Sequence, residues 1–172
     1  MAYPIEDRAA ASGVNAASGC SASVKGADRV QVGGWVDAWQ HYRECMAIVR
    51  CSAPGDLGEV LTDLKRTAGE ALLIFFGSED PQTGASWCPD CVTADPVLRA
   101  AIARSRPQTT LYECPVGLRS AWKNVPDHPY RLHPDLRIAR IPTLIRWAHG
   151  CEVGRLVEGD CANPEAVAAF LR

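Results

Sequence analysis

The sequence predicts an α/β domain built on a mixed central sheet with helices on both faces. Two observations lead there. From residue 46 onward, short apolar runs alternate with amphipathic helical stretches in the order βαβαβ. After a variable segment, two further strands meet at a tight turn and a helix follows, giving ββα.

Each element has its own signal. Met46 to Arg50 is a short apolar strand candidate. Asp56 with Glu59 resembles a capping box, opening a helix whose apolar face is Leu57, Val60, Leu61, Leu64 and Ala68, with Gly69 closing it. Ala71 to Phe76 is a continuous apolar run of the length of a buried central strand. Gly77 to Trp87 is a polar loop carrying Gly77, Pro81 and Gly84. Pro89 suits the first position of a helix running to about Arg104, kinked at Pro96. Thr109 to Cys114 is the next strand. The stretch after it, with Trp122, Pro126, Pro129 and Pro134, leaves room for one short helix. Thr143 to Ala148 and Val153 to Val157 form a hairpin about His149 and Gly150. Asn163 caps a last helix with Val167, Phe170 and Leu171 turned to the core.

The domain therefore occupies residues 46–172, and residues 1–45 form an N-terminal extension. Residues 1–29 are rich in Ala, Ser and Gly and read as a partly disordered tail. Trp35, Trp39 and Tyr42 recur at helical spacing, so 34–45 reads as a short helix docking on the domain, the competing reading being a partner-binding helix.

Composition narrows the function classes. The chain has 172 residues, 47% hydrophobic and 22% charged, with 18 Lys and Arg against 20 Asp and Glu. That balance supplies no basic field for nucleic acid or an anionic membrane. No run approaches the ~18 apolar residues of a membrane span. Eight cysteines in a chain long enough for a real core, with no apolar secretory leader, point to thiols in a reducing cytoplasm rather than a disulfide framework. Organelle import, suggested by the Ala/Ser content, is the weaker reading because basic residues are scarce.

The chemistry centres on Trp87-Cys88-Pro89-Asp90-Cys91, placed after a buried strand and at the opening of a helix. A thiol at a helix N-terminus faces unpaired N–H groups and the positive end of the macrodipole, which favours the thiolate. Cys88 is then the attacking sulfur. Cys91, one turn later, resolves the mixed disulfide by closing Cys88–Cys91. CxxC is also half a zinc site, but no second knuckle accompanies it: Cys151 and Cys161 lie ten apart and His128 and His133 five apart. Two inert buried thiols are a poor fit to Pro89 and Asp90 between them. No metal and no bound cofactor are expected.

Arg140-Ile141-Pro142-Thr143 precedes a strand some fifty residues after the CxxC. Proline there is ordinarily an edge residue. Combined with Phe75-Phe76-Gly77-Ser78-Glu79-Asp80, Cys114-Pro115-Val116-Gly117, Trp122-Lys123, Tyr130-Arg131 and Leu156-Val157-Glu158-Gly159-Asp160-Cys161, the set resembles the thioredoxin superfamily, and within it the thioredoxin domain-containing protein 17 family. The resemblance spans about residues 46–171.

It implies a thioredoxin-like fold in which Pro142 is the cis-proline that, with the Ile141 main chain, positions substrate against Cys88. It implies a cytosolic disulfide reductase acting on cystine, glutathionylated cysteines or particular proteins, recharged from NADPH through thioredoxin reductase, with Trp87 rimming the sulfur. A monomer is expected. Two features depart from the pattern: Asn124 stands where relatives tend to carry an acid, and the 45-residue extension has no counterpart in short members.

The strand Ala71 to Phe76 has no acid to take the Cys91 proton, so Asp90, or Glu79 or Asp80 in the preceding loop, is the candidate acceptor, against the reading that all three are solvated. Cys51, Cys114 and Cys161 read as packing residues and Cys151 as exposed; Cys20 and Cys45 lie in the extension. The competing class is a non-catalytic adaptor with a vestigial or metal-bound CxxC.

Overall fold

In the computed structural model, residues 47–172 are described; the extension, with Cys20 and Cys45 and its expected helix at 34–45, and Met46 of the expected first strand lie outside them. Five strands form one sheet: β1 (Ile48–Arg50), β2 (Ala71–Phe76), β3 (Thr110–Pro115), β4 (Thr143–Ala148) and β5 (Cys151–Val157). Their spatial order is β1-β3-β2-β4-β5. The first three run parallel, β4 is antiparallel to β2, and β5 to β4. The helices are α1 (Pro54–Thr67), α2 (Pro89–Ser105), the single turns α3 (Arg119–Trp122) and α4 (Pro129–Leu132), and α5 (Pro164–Phe170), preceded by a 3-10 turn at Glu158–Ala162.

β2 is the centre of the sheet, and all six of its residues are buried. A strand covered on both faces reads as an unbroken apolar run, which is why Ala-Leu-Leu-Ile-Phe-Phe was legible. Its ladder to β3 sets Ile74 beside Glu113 and Phe75 beside Cys114, and its ladder to β4 sets Phe75 beside Thr143. α2 lays Cys91, Ala94, Leu98, Ala101 and Ile102 into the core, the i, i+3, i+4 spacing of one helical face. It runs unbroken through Pro96 to Ser105, although proline has no N–H to offer the Val92 carbonyl.

The structure corrects several local expectations. α1 starts at Pro54, two residues before Asp56; Asp56 is its third residue and accepts the Ala53 N–H at 2.9 Å. The left-handed residue that ends α1 is Ala68 (φ 52°), not Gly69. Gly69 serves packing instead, since a Cβ there would stand 3.2 Å from Leu64 Cδ2. The segment after β3 holds two helical turns rather than one, and β5 begins at Cys151 rather than Val153. His149 (φ 55°) and Gly150 (φ 79°) make the two-residue turn whose twist suits a hairpin. Asn163 caps α5 as expected, its Oδ1 accepting the Glu165 and Ala166 N–H groups. No helix among the described residues is long and apolar enough to cross a membrane.

Candidate active site

β2 ends at Phe76, and the chain turns through Gly77 into a loop that folds back on itself. Glu79 and Ser86 form an antiparallel bridge. Asp80 Oδ1 accepts the Gln82 N–H at 2.7 Å, and Gly84 sits at φ 69° in the turn. Ser86 Oγ donates to the Gly77 carbonyl at 2.6 Å and accepts the Cys88 N–H at 3.3 Å. The Trp87 indole N–H donates to the Gly117 carbonyl at 2.8 Å. Gly77 allows this packing, because a Cβ there would lie 2.7 Å from Trp87 Cε2.

Cys88 is the N-cap of α2 and Pro89 its first residue. The Cys88 sulfur accepts the Cys91 N–H at 3.3 Å, the role that a Ser or Asp oxygen usually fills. Both thiols are buried and both are free. The Cys91 side-chain thiol, hydrogen-bonded to Cys88, is the largest influence lowering the Cys88 pKa to about 7, helped by the Cys91 N–H and opposed by burial and by the Asp90 charge. The same thiol–thiol bond and burial push Cys91 the other way, well above the usual thiol range, with the Gly77 backbone opposing. One sulfur is thus biased to thiolate and its neighbour to thiol.

The Ile141–Pro142 bond is cis. The Pro142 carbonyl accepts the Glu158 N–H at 2.7 Å and the Cys161 thiol at 3.6 Å, while Thr143 Oγ1 donates to the Arg140 carbonyl at 2.7 Å. Ile141 and Arg140 share an open groove with Trp87, Cys88 and Pro89, and Pro142 borders a deeper cavity on the Cys91 side. The structure therefore brings together Trp87, Cys88, Pro89, Asp90, Cys91, Ile141 and Pro142.

Of the three candidate proton acceptors, Asp90 and Asp80 are exposed, whereas Glu79 lines the cavity that Cys91 also lines. Glu79 is ion-paired to Arg50, which holds its carboxyl below the ordinary range. Behind it, Glu113 is buried and pairs with Arg99 at 2.6 Å and Arg50 at 3.4 Å. The sequence reading missed this charged layer and missed Ser86. One signal was available: Glu113 interrupts an otherwise apolar strand. Arg119 and Lys123 on the groove rim were missed too; Arg119 lies over the Trp87 ring at 5.9 Å. Among the described residues no group of three or more His, Cys, Asp or Glu is placed to hold a metal ion.

A vicinal dithiol at the mouth of a helix, packed on a mixed five-stranded sheet beside a cis-proline, defines a thioredoxin-fold protein. Thioredoxin O2 from Arabidopsis thaliana, in its oxidised state, shares this fold with a TM-score of 0.52 at 16% identity, over 73% of this chain and 94% of that one. Residues 55–172 match the family model described as the thioredoxin domain-containing protein 17-like thioredoxin domain. The chain belongs to that family, whose thioredoxin-like domain carries a redox role in general. It is 31% identical over 115 residues to the thioredoxin-like protein Clot of Arabidopsis thaliana, covering 67% of this chain and 85% of that protein. It is also 31% identical over 104 residues to thioredoxin domain-containing protein 17 of Mus musculus, covering 60% and 80%.

Proposed function

We propose that the protein is a disulfide reductase that works by thiol–disulfide exchange at Cys88 and Cys91. The observation that carries this reading is the Cys88 sulfur at the cap of α2, accepting the Cys91 N–H at 3.3 Å. The Cys88 thiolate attacks one sulfur of a substrate disulfide and expels the other as a thiolate, leaving a mixed disulfide on the protein. Cys91 then gives up its proton and attacks the Cys88 sulfur, expelling the second substrate thiolate. The substrate gains two electrons, and the protein is left with a Cys88–Cys91 disulfide. Trp87 walls the groove, Pro89 and Asp90 set the first turn of the helix, and the Ile141–Pro142 backbone receives the substrate.

Electrons return from NADPH through thioredoxin reductase. Cystine and glutathionylated cysteines are the substrates proposed, and the cytoplasm the compartment. Of the three candidate acceptors Asp90, Glu79 and Asp80, Glu79 is the one that lines the cavity on the Cys91 side, and it is the acceptor proposed for the relayed proton.

The test is NADPH consumption with thioredoxin reductase, this protein and cystine, with Cys88→Ser as control. Turnover that disappears in Cys88→Ser supports the reading. Absence of turnover with a reductase active on ordinary thioredoxin overturns the electron-donor assignment. Slow alkylation of Cys88 between pH 6 and 7 favours the adaptor reading instead.

A further inference from the structure

Two more thiols face each other away from the CxxC. The last register pair of β1 and β3 is Arg50 with Glu113, and Cys51 N–H donates to the Glu113 carbonyl at 2.8 Å, so the parallel pairing carries one residue past the strand end. The next pair in that register is Cys51 with Cys114. Adjacent strands lie about 4.8 Å apart, and facing side chains in parallel register share one face of the sheet. That spacing falls inside the Cα separation of about 4.4–6.8 Å that a disulfide bridges. Alternation puts the pair on the face opposite Glu113, and hence opposite the Arg99 side chain of α2. Both thiols are buried, at 1% and 0% exposure, and both are free.

Their surroundings resemble a working dithiol more than inert packing. The Cys114 thiol, whose Sγ–H donates to the Tyr112 carbonyl at 3.7 Å, is the largest influence lowering the Cys51 pKa, with burial opposing. Burial first, and then the neighbouring Cys51 thiol, pushes Cys114 up. Tyr130, 1% exposed, packs edge-on against Phe75, the register partner of Cys114. The Tyr130 hydroxyl is buried with no hydrogen-bond partner among the described residues. After burial, the charges of Cys114 and Cys51 are what most raise its pKa. Such a donor suits an oxygen that forms transiently on sulfur.

We propose that Cys51 and Cys114 form a second, non-catalytic dithiol that a peroxide closes to an internal disulfide, fastening the β1–α1 junction to β3. The Cys51 thiolate takes the terminal oxygen of hydrogen peroxide, becoming a sulfenic acid and releasing hydroxide. The Cys114 sulfur then attacks the Cys51 sulfur, and the displaced hydroxide leaves as water with the Cys114 proton. Two thiols lose two electrons, and one peroxide becomes two waters. A small neutral peroxide suits this pair: Cys51 follows a three-residue strand that, among the described residues, is hydrogen-bonded to β3 alone, where opening costs least.

The test uses the full chain with Cys88→Ser and Cys91→Ser together, so that the first dithiol contributes nothing. The folded protein is treated with hydrogen peroxide, alkylated in denaturant, digested without reductant and mapped by mass. The expected product is a Cys51–Cys114 linked peptide pair, 2 Da lighter than the sum of the two thiol peptides. It grows with peroxide dose and disappears after reductant. In the same samples, amide exchange at residues 48–53 slows on oxidation and recovers on reduction, and Cys51→Ala or Cys114→Ala abolishes the change. Recovery of both residues as separate alkylated thiols or sulfinic acids overturns the proposal. So does linkage that appears only in denatured protein, or linkage of either residue to another cysteine. The catalytic reading stands or falls separately on the cystine assay.

Discussion

The indole N–H of Trp87 and the carbonyl of Gly117, 2.8 Å apart, join the loop before the CxxC to the loop after β3. The same carbonyl also accepts the Ser78 N–H at 3.1 Å. Trp87→Phe keeps an aromatic ring, though a smaller one, and removes one of these donors, so we expect a loss of about 1 kcal/mol in urea denaturation from the lost hydrogen bond, with turnover largely kept. Gly77→Ala acts on the same ring from below. Its new Cβ would meet Trp87 at 2.7 Å, so the ring must move. Cystine turnover should fall at least tenfold although no cysteine is touched, and quenching of Trp fluorescence by iodide should rise.

Cys88 ionises with a pKa of about 7, held down first by the Cys91 thiol and then by the Cys91 N–H. The thiolate fraction rises with pH, so iodoacetamide should modify Cys88 along a single curve with its midpoint near 7. Cys91→Ser replaces the thiol donor but leaves the backbone donor in place, and Cys91→Ala removes the side-chain donor outright. Cys91→Ala should therefore move the midpoint upward, with the smaller shift in Cys91→Ser. Equal midpoints in all three proteins would remove the thiol–thiol hydrogen bond from the account.

Glu113 is 8% exposed and depends on Arg99 at 2.6 Å and Arg50 at 3.4 Å. Arg99→Met keeps the bulk of the side chain and strands the carboxylate with its longer, more exposed partner. We expect a loss of about 3 kcal/mol, the low end for breaking a buried pair, because the Arg99 side chain is itself 22% exposed. The double variant Arg99→Met with Glu113→Gln should recover a good part of it. Chemical denaturation of the wild type and the two variants measures both numbers.

His128 gives a pH dependence of stability. Its Nδ1 accepts the Tyr130 N–H at 3.2 Å, which requires the neutral ring, and Nε2 then donates to the Val116 carbonyl at 3.1 Å. Burial lowers its pKa in the folded state. The unfolded chain therefore binds the proton first as pH falls. The stability His128 supplies is complete above the unfolded value of about 6.5 and is lost as pH drops from there toward the lower folded value. Urea midpoints should decline from pH 7.5 to pH 5.5 in the wild type, and the decline should shrink in His128→Asn.

Local chemistry made part of this molecule legible in its sequence. β2 announced itself because a strand covered on both faces needs six apolar residues in a row. Pro89 and Asn163 marked helix starts because missing or unsatisfied N–H groups constrain those positions whatever surrounds them. The Cys88–Cys91 pair needed only a strand before it and a helix after it. Ala68 was not legible: left-handed backbone at an alanine is held by its neighbours, and the sequence offered Gly69 one residue later. The partners of Arg50 were not legible either. Glu79 and Glu113 lie 29 and 63 residues away; the β1–β3 register brings Glu113 to Arg50, and the loop after β2 brings Glu79. Ser86 was hidden for a smaller reason, since its hydroxyl serves Cys88 only after the loop has folded back.

β2 has strand neighbours on both sides, and the chain leaves it one residue before the Ser86–Gly77 bond that holds the Cys88 amide. Its peptide hydrogens should thus be among the last to exchange with deuterated solvent, opening only when the whole sheet comes apart. The dithiol hangs from the most persistent part of the molecule, so partial melting of α1 or the outer strands leaves it in place. Loss of Cys88 reactivity on heating and loss of the slowest-exchanging hydrogens should then be a single event.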